Sequence, residues 1–301
     1  QNRVFPMNNE LQIDALLPVD MAAKAETLGV KKANLDWVNM TALSVLAGAF
    51  IALGAIFATT VSAGAFASSL SDGVSVSTAW PTGAPRLLSG LAFSLGLILV
   101  IVGGAELFTG NNLIVMAWAN GKVSTKRLGL NWLVVYLGNF VGAVATALIM
   151  LVSRQYEFSH GQIGLQALTI ANAKSGLDFW QAIALGIMCN ALVCLAVWLT
   201  YSARSTTDKI MAIVPPITAF VAAGFEHSVA NMYFIPMGML IKATAAPEFW
   251  ASINRTPADF ANLTLSNFLV RNLIPVTIGN IIGGAVMVGA VYWFIYLRAR
   301  R

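Results

Sequence analysis

Six long apolar runs, near 37–63, 87–118, 131–152, 179–202, 210–241 and 270–297, take up most of the chain. A run of about 18 or more apolar residues is long enough to cross a bilayer as a helix. Hydrocarbon offers a backbone no hydrogen bonds, so only helices and closed barrels survive there. Runs of this length predict an all-α membrane protein with six transmembrane helices. The composition agrees: 10% of residues are charged and 57% hydrophobic, against about 25% charged in soluble domains.

The second and fifth runs are too long for one plain helix, and polar clusters interrupt both. GGAELFTGNN starts at Gly103 and AGFEHSVANM at Ala223; Gly104, Glu106 and Asn111 in the first recur as Gly224, Glu226 and Asn231 in the second. The third and sixth runs match as well, NWLVVYLGNFVG from Asn131 against NLIPVTIGNIIG from Asn272, at identical spacing. The chain therefore reads as two copies of a three-helix unit, about 37–152 and about 179–297. An odd number of spans per unit turns the second copy upside down, which predicts an inverted repeat whose broken helices two and five meet at mid-bilayer around a permeation site.

A broken helix frees backbone groups that must be paired or wetted. Glu106 and Glu226, with Asn111 and Asn231, are expected to serve the breaks, the carboxylates accepting from the N–H groups that open each following half-helix. His227 departs from the repeat, since Leu107 stands at its counterpart. A lone imidazole in a span suits a pore-lining group that hydrogen-bonds or exchanges a proton with a solute. Phe220 lies two turns before it, Phe93 and Leu97 share a helix face, and Thr109 offers a hydroxyl after the first break. Such a ring of bulky side chains around one polar point makes a narrow path for small solutes. Asn190, in mid-span, could orient the ring or satisfy a break.

The net charge of +5 would suit nucleic acid, but its distribution points to topology. Two thirds of the 18 lysines and arginines fall in the N-terminal segment, the 119–130 and 203–209 loops and the C-terminal tail, which predicts both termini in the cytoplasm. The polar, acidic start does not read as a cleavable signal, and the missing initiator Met hints at trimming. Residues 1–36 are expected to form a cytoplasmic segment, with a helix over LLPVDMAAKAETLGVKKA capped by Asp20, ended near Gly29 and lying on the membrane surface. Residues 37–301 form the transmembrane domain. Cys189 and Cys194 are expected to be apolar packers in the fourth span. The sequence carries no Walker A motif, twin Asn-Pro-Ala, Cys/His cluster, nucleophile elbow or dinucleotide fingerprint. It reads as neither an enzyme nor a cofactor protein.

The blocks LLPVDMAAKAETLGVKKA, FSLGLILVIVGGAELFTGN, NWLVVYLGNFVGA, GFEHSVANMYFIPMGM and NLIPVTIGNIIGG together resemble the formate/nitrite transporter family, most of all its bacterial formate channels. The resemblance implies an aquaporin-like protomer in a homopentamer of the bacterial inner membrane, with one pore per protomer for formate. It places Phe93, Leu97, Leu107, Phe108 and Phe220 at constrictions, and sets Thr109 and His227 face to face with Asn190 and Glu226 alongside. It gives the Thr109–Asn112 segment a part in gating and makes the N-terminal helix a pH-sensitive lid. Other small monovalent anions (nitrite, hydrosulfide, acetate, lactate) are the alternative substrates. A scaffold protein, which would pass no solute, is the alternative class.

Overall fold

In the computed structural model, residues 15–64, 68–71, 74–77 and 81–300 are described. The first 14 residues of the expected 1–36 segment, and Arg301, lie outside them. The chain is helical through its apolar runs except at a break in the second and in the fifth: α1 (Pro18–Ala33), α2 (Trp37–Ser62), α3 (Gly83–Gly103), α4 (Phe108–Asn111), α5 (Val115–Ala119), α6 (Thr125–Val152), α7 (Gln162–Ser175), α8 (Phe179–Ser202), α9 (Thr206–Ala223), α10 (Ser228–Thr244) and α11 (Pro247–Ser252). A last span covers Asn267–Tyr296, its α-helical middle at Ile274–Ile281 flanked by wider π turns. A two-stranded antiparallel hairpin, Ser68–Ser71 with Val74–Ser77, lies in the connection from α2 to α3, outside the spans.

Local chemistry sets where each span begins. Asp36 caps α2 by accepting from the backbone N–H (3.0 Å) and the side-chain amide (2.6 Å) of Asn39, which hold its carboxyl below the usual range. Asp178 opens α8 in the same way, with Gln181 completing a capping box. Ser124 accepts from Arg127 N–H and starts α6 at Thr125, so the polar turn before the apolar run is helical too.

Both long runs break where the sequence indicates. α3 ends at Gly104 (φ 76°) and α9 at Gly224 (φ 77°), left-handed positions that favour glycine. Extended residues follow, and then α4 and α10 begin; α9 and α10 meet at 51°. The first broken span continues only through α4, a short 3₁₀ turn and α5, whereas the second continues as the full-length α10.

The N-terminal helix differs from its expected form. Leu17 is its N-cap, Pro18 opens it, Asp20 sits within the first turn, and the helix runs through Gly29 to Ala33. Gly29 serves a close contact instead of an end, because the helix there lies against α5: an added Cβ would come within 3.1 Å of the Ala117 Cβ. Met21, Ala22 and Ala25 are buried in a cluster with Leu113, Met116 and Trp198. The apolar face expected to rest on the membrane is thus covered by protein. α7 occupies the same place in the second repeat that α1 has in the first, just before the opening span.

Small residues bring the outer helices of each repeat together. A Cβ on Gly142 would overlap the Val45 carbonyl, and one on Gly283 the matching Ile187 carbonyl. Replacing Gly142 with Val therefore forces two backbones apart at a cost of roughly 1–3 kcal/mol or more. We expect Gly142→Val to lower the thermal unfolding midpoint sharply. Gly129→Ala on the same helix, where an added Cβ meets nothing within 4 Å, should leave it unchanged or raised.

Candidate functional site

One asparagine holds each break together. The Asn139 Oδ1 accepts the Phe108 N–H that opens α4 (2.9 Å), and its Nδ2 donates to the carbonyls of Ser44 (2.7 Å) and Glu106 (2.9 Å). Asn280 repeats the pattern, accepting from Ser228 N–H and donating to Gly186 and Glu226 carbonyls, all at 2.9 Å. Backbone bonds from Glu106 N–H to Leu43 O and from Glu226 N–H to Leu185 O complete the match. The freed backbone groups are satisfied by amides on the third helix of each repeat, and the carboxylates expected in that role are used elsewhere.

Glu106 accepts from Lys32 Nζ (2.8 Å) and Asn111 Nδ2 (2.7 Å). Glu226 accepts from Lys174 Nζ (2.7 Å) and Asn231 Nδ2 (2.7 Å). Asn131 and Asn272 accept from Asn111 and Asn231, and donate to the Lys32 and Lys174 carbonyls. Both acids are 4% exposed, and each is neutralised by a lysine at the end of α1 or α7. These lysines escaped the sequence reading, although a signal exists: Lys32…Leu35-Asp36 recurs as Lys174…Leu177-Asp178. The copies differ in detail. Lys32 also donates to Asn111 Oδ1 (3.0 Å), whereas the Asn231 Oδ1 has no partner among the described residues and Lys174 lies 5.5 Å from the Phe234 ring centre.

His227 is the N-cap of α10. Its Nδ1 accepts from Ala230 N–H at 3.0 Å, and its Nε2 lies 2.9 Å from Thr109 Oγ1. With Nδ1 committed as an acceptor, the proton of the neutral ring sits on Nε2 and points at the threonine. An imidazolium would set an N–H against the Ala230 N–H and a positive charge on the positive end of α10. Asn190 donates to the carbonyls of Thr109 (3.3 Å) and Asn280 (2.7 Å) and to Asn112 Oδ1 (3.1 Å), so it serves the breaks and does not orient the imidazole. Its repeat counterpart is Gly48, a second place where the copies diverge.

Two cavities approach this centre from opposite ends of the bundle. One, of about 610 Å³, is lined by α7, the start of α8 and the end of α9, and includes Phe93, Lys174, Phe220, Glu226 and His227. The other, of about 450 Å³, is lined by α1, the end of α3 and the end of α8, and includes Lys32, Leu97, Glu106 and Leu107. Phe93 packs edge-on to Phe220, 5.7 Å between centroids, and Phe220 stacks on the His227 ring at 6.0 Å. Phe93 and Phe220 line the first cavity and Leu97 and Leu107 the second, each 2–3% exposed. Phe108 is placed differently from the expectation: it lines neither, because its ring is lodged against Trp132 and Tyr136 of α6. Cys189 and Cys194 are buried and free, the latter donating to the Thr109 carbonyl at 3.3 Å.

A family model described as Formate/nitrite transporter matches residues 19–294. The chain belongs to this family. It is 46% identical over 292 residues to the formate channel FocA of Escherichia coli strain K12, covering 97% of this chain and 98% of that one. With the formate channel FocA of Haemophilus influenzae it shares 42% identity over 94% of this chain and 95% of the other. Among solved structures it resembles a pentameric formate channel with formate bound, at a TM-score of 0.79 and 48% identity over 87% of this chain and 98% of that one. An ion channel of the family matches at 0.73 and 27%, over 92% and 98% respectively. The architecture is that of a membrane transport protein: six spans in two inverted repeats, with the second and fifth broken.

The Lys174–Glu226 pair yields a direct test. Removing one partner of a buried pair costs about 3–5 kcal/mol, much of it from the stranded charge. Lys174→Met should lower the unfolding midpoint of the purified protein, and Lys174→Met/Glu226→Gln should recover much of the loss.

Proposed function

We propose that the protein conducts formate across the bacterial cytoplasmic membrane, each protomer of a homopentamer holding its own conduit between the two cavities. The observation that carries this reading is the central pair Thr109–His227, set between apolar constrictions where the two cavities converge. The relatives named as formate channels supply the substrate. Leu133, Leu137 and Val141 form an exposed apolar stripe along α6, each 54–55% exposed, which suits burial against lipid or a neighbouring subunit. The charge asymmetry of the loops supports both termini facing the cytoplasm. Residues 1–36 then form a cytoplasmic segment whose helix closes over the conduit's inner end. The protein's work is permeation, without catalysis or a cofactor.

A carboxylate entering an apolar passage loses hydration worth far more than a few weak contacts return. Here the losses are spread. Lys32 and Lys174 stand in the two cavities, the α4 and α10 N-termini point their positive ends toward the centre, and His227 Nε2–H offers a donor beside Thr109. The geometry favours a neutral imidazole that exchanges its bond to Thr109 for one to the passing solute. Phe93, Leu97, Leu107 and Phe220 limit the size of what passes. The Glu106/Asn111 and Glu226/Asn231 clusters, with Asn190, keep the breaks in shape. Nitrite, hydrosulfide, acetate and lactate remain rival solutes, and competition against labelled formate ranks them.

A hydrogen bond to an ion contributes about 1.5–3 kcal/mol. His227→Phe in proteoliposomes should therefore cut formate flux by at least about tenfold, while His227→Asn, which keeps a donor, should retain more flux than the Phe variant. Unchanged flux and an unchanged pH profile in His227→Phe would remove the histidine from the mechanism.

A further inference from the structure

Among its described lining residues, the cavity on the α1 side carries more positive charge than a monovalent solute requires. Lys24, Lys31 and Lys32 line it from α1 and Lys209 from α9, while Glu106 is the one acid among its described lining residues. That acid is already matched by Lys32 and Asn111. Lys24 is tied to the Tyr201 carbonyl by a 2.8 Å bond, which holds its ammonium near Lys209 and Arg204. Its own burial, and then those two cations, lower its pKa from the ordinary lysine value. Asp208, the nearest acid in sequence to Lys209, is engaged in capping α9 through Ser205 and the Arg204 N–H. Holding like charges together costs folding free energy, and a ligand that neutralises several at once recovers it. The space, about 450 Å³, is far larger than a solute of three heavy atoms needs, and Leu97 and Leu107 lie at its inner end.

We propose that this cavity binds a compact soluble anion of two or more charges, of the diphosphate or phosphate-monoester class, and that the bound anion stops up the conduit from the α1 side. Coulomb attraction to each ammonium scales with ligand charge, so such an anion outcompetes a monoanion for the same cavity. The stoppered conduit rests on the function proposed above; the binding site does not.

The test uses inorganic pyrophosphate and the full-length protein in phosphatidylcholine nanodiscs, with binding followed by ³¹P NMR at fixed ionic strength. Wild-type protein should bind it, and Lys24→Gln/Lys209→Gln should weaken binding by about tenfold or more. Lys31→Gln, on the exposed last turn of α1, should weaken it more modestly, and Lys174→Gln, in the other cavity, should leave it unchanged. In proteoliposomes pyrophosphate should slow formate flux, and the ratio of flux without and with it should fall toward one in the double variant. Equal affinity in the wild type and the double variant, or displacement of pyrophosphate by phosphatidic acid in the discs, overturns the proposal. Pyrophosphate binding in a protein that passes no formate would instead sink the conduit reading and leave the site standing.

Discussion

A helix that stops inside an apolar slab leaves donors and acceptors with no water to turn to, and everything else in this fold answers to that constraint. Asn139 and Asn280 answer it twice over. Each supplies an acceptor to the opening N–H of a half-helix and donors to two carbonyls, joining three segments through one side chain. The close glycine contacts between α2 and α6, and between α8 and the last span, bring the backbones near enough for a short amide to reach all of them. Remove the close approach and the amide no longer spans the gap.

On this frame the two repeats share most of their supporting contacts and differ at a few central positions. The carboxylate, its lysine and its paired asparagines recur. Leu107 against His227, and Gly48 against Asn190, do not. A perfectly duplicated centre would have presented either two apolar residues and no donor, or two imidazoles. The observed combination sets one ring donor against one hydroxyl, with hydrophobic walls on either side. A shared scaffold thus carries a centre that is not duplicated.

Much of this was legible from the chain. The breaks were visible because Gly104 and Gly224 interrupt long apolar runs beside acids, and the inversion followed from counting spans between repeated motifs. His227 stood out because it was the one imidazole in a span. What stayed hidden involved partners distant in sequence. Lys32 and Lys174 lie 74 and 52 residues from the acids they neutralise, and nothing local indicates the pairing. The role of Asn139 and Asn280 was hidden although their repetition was plain, because spacing reveals duplication and not bonding. Phe108 was misplaced because an aromatic beside a break fits a constriction or a packing pocket equally well, and only Trp132 and Tyr136 decide between them. The N-terminal helix was read from its amphipathic face, but amphipathicity does not say whether lipid or protein covers that face.

The imidazole that faces the threonine also caps the start of a helix, and in the proposed conduit this ties conduction to mechanics. Were the ring to swing after a departing solute, the first turn of α10 would lose its cap, so displacement carries an elastic restoring force supplied by the backbone itself. In the proposed conduit the donor would therefore stay a fixed post, its position reset by the same cap that opens the helix and not by a separate return stroke.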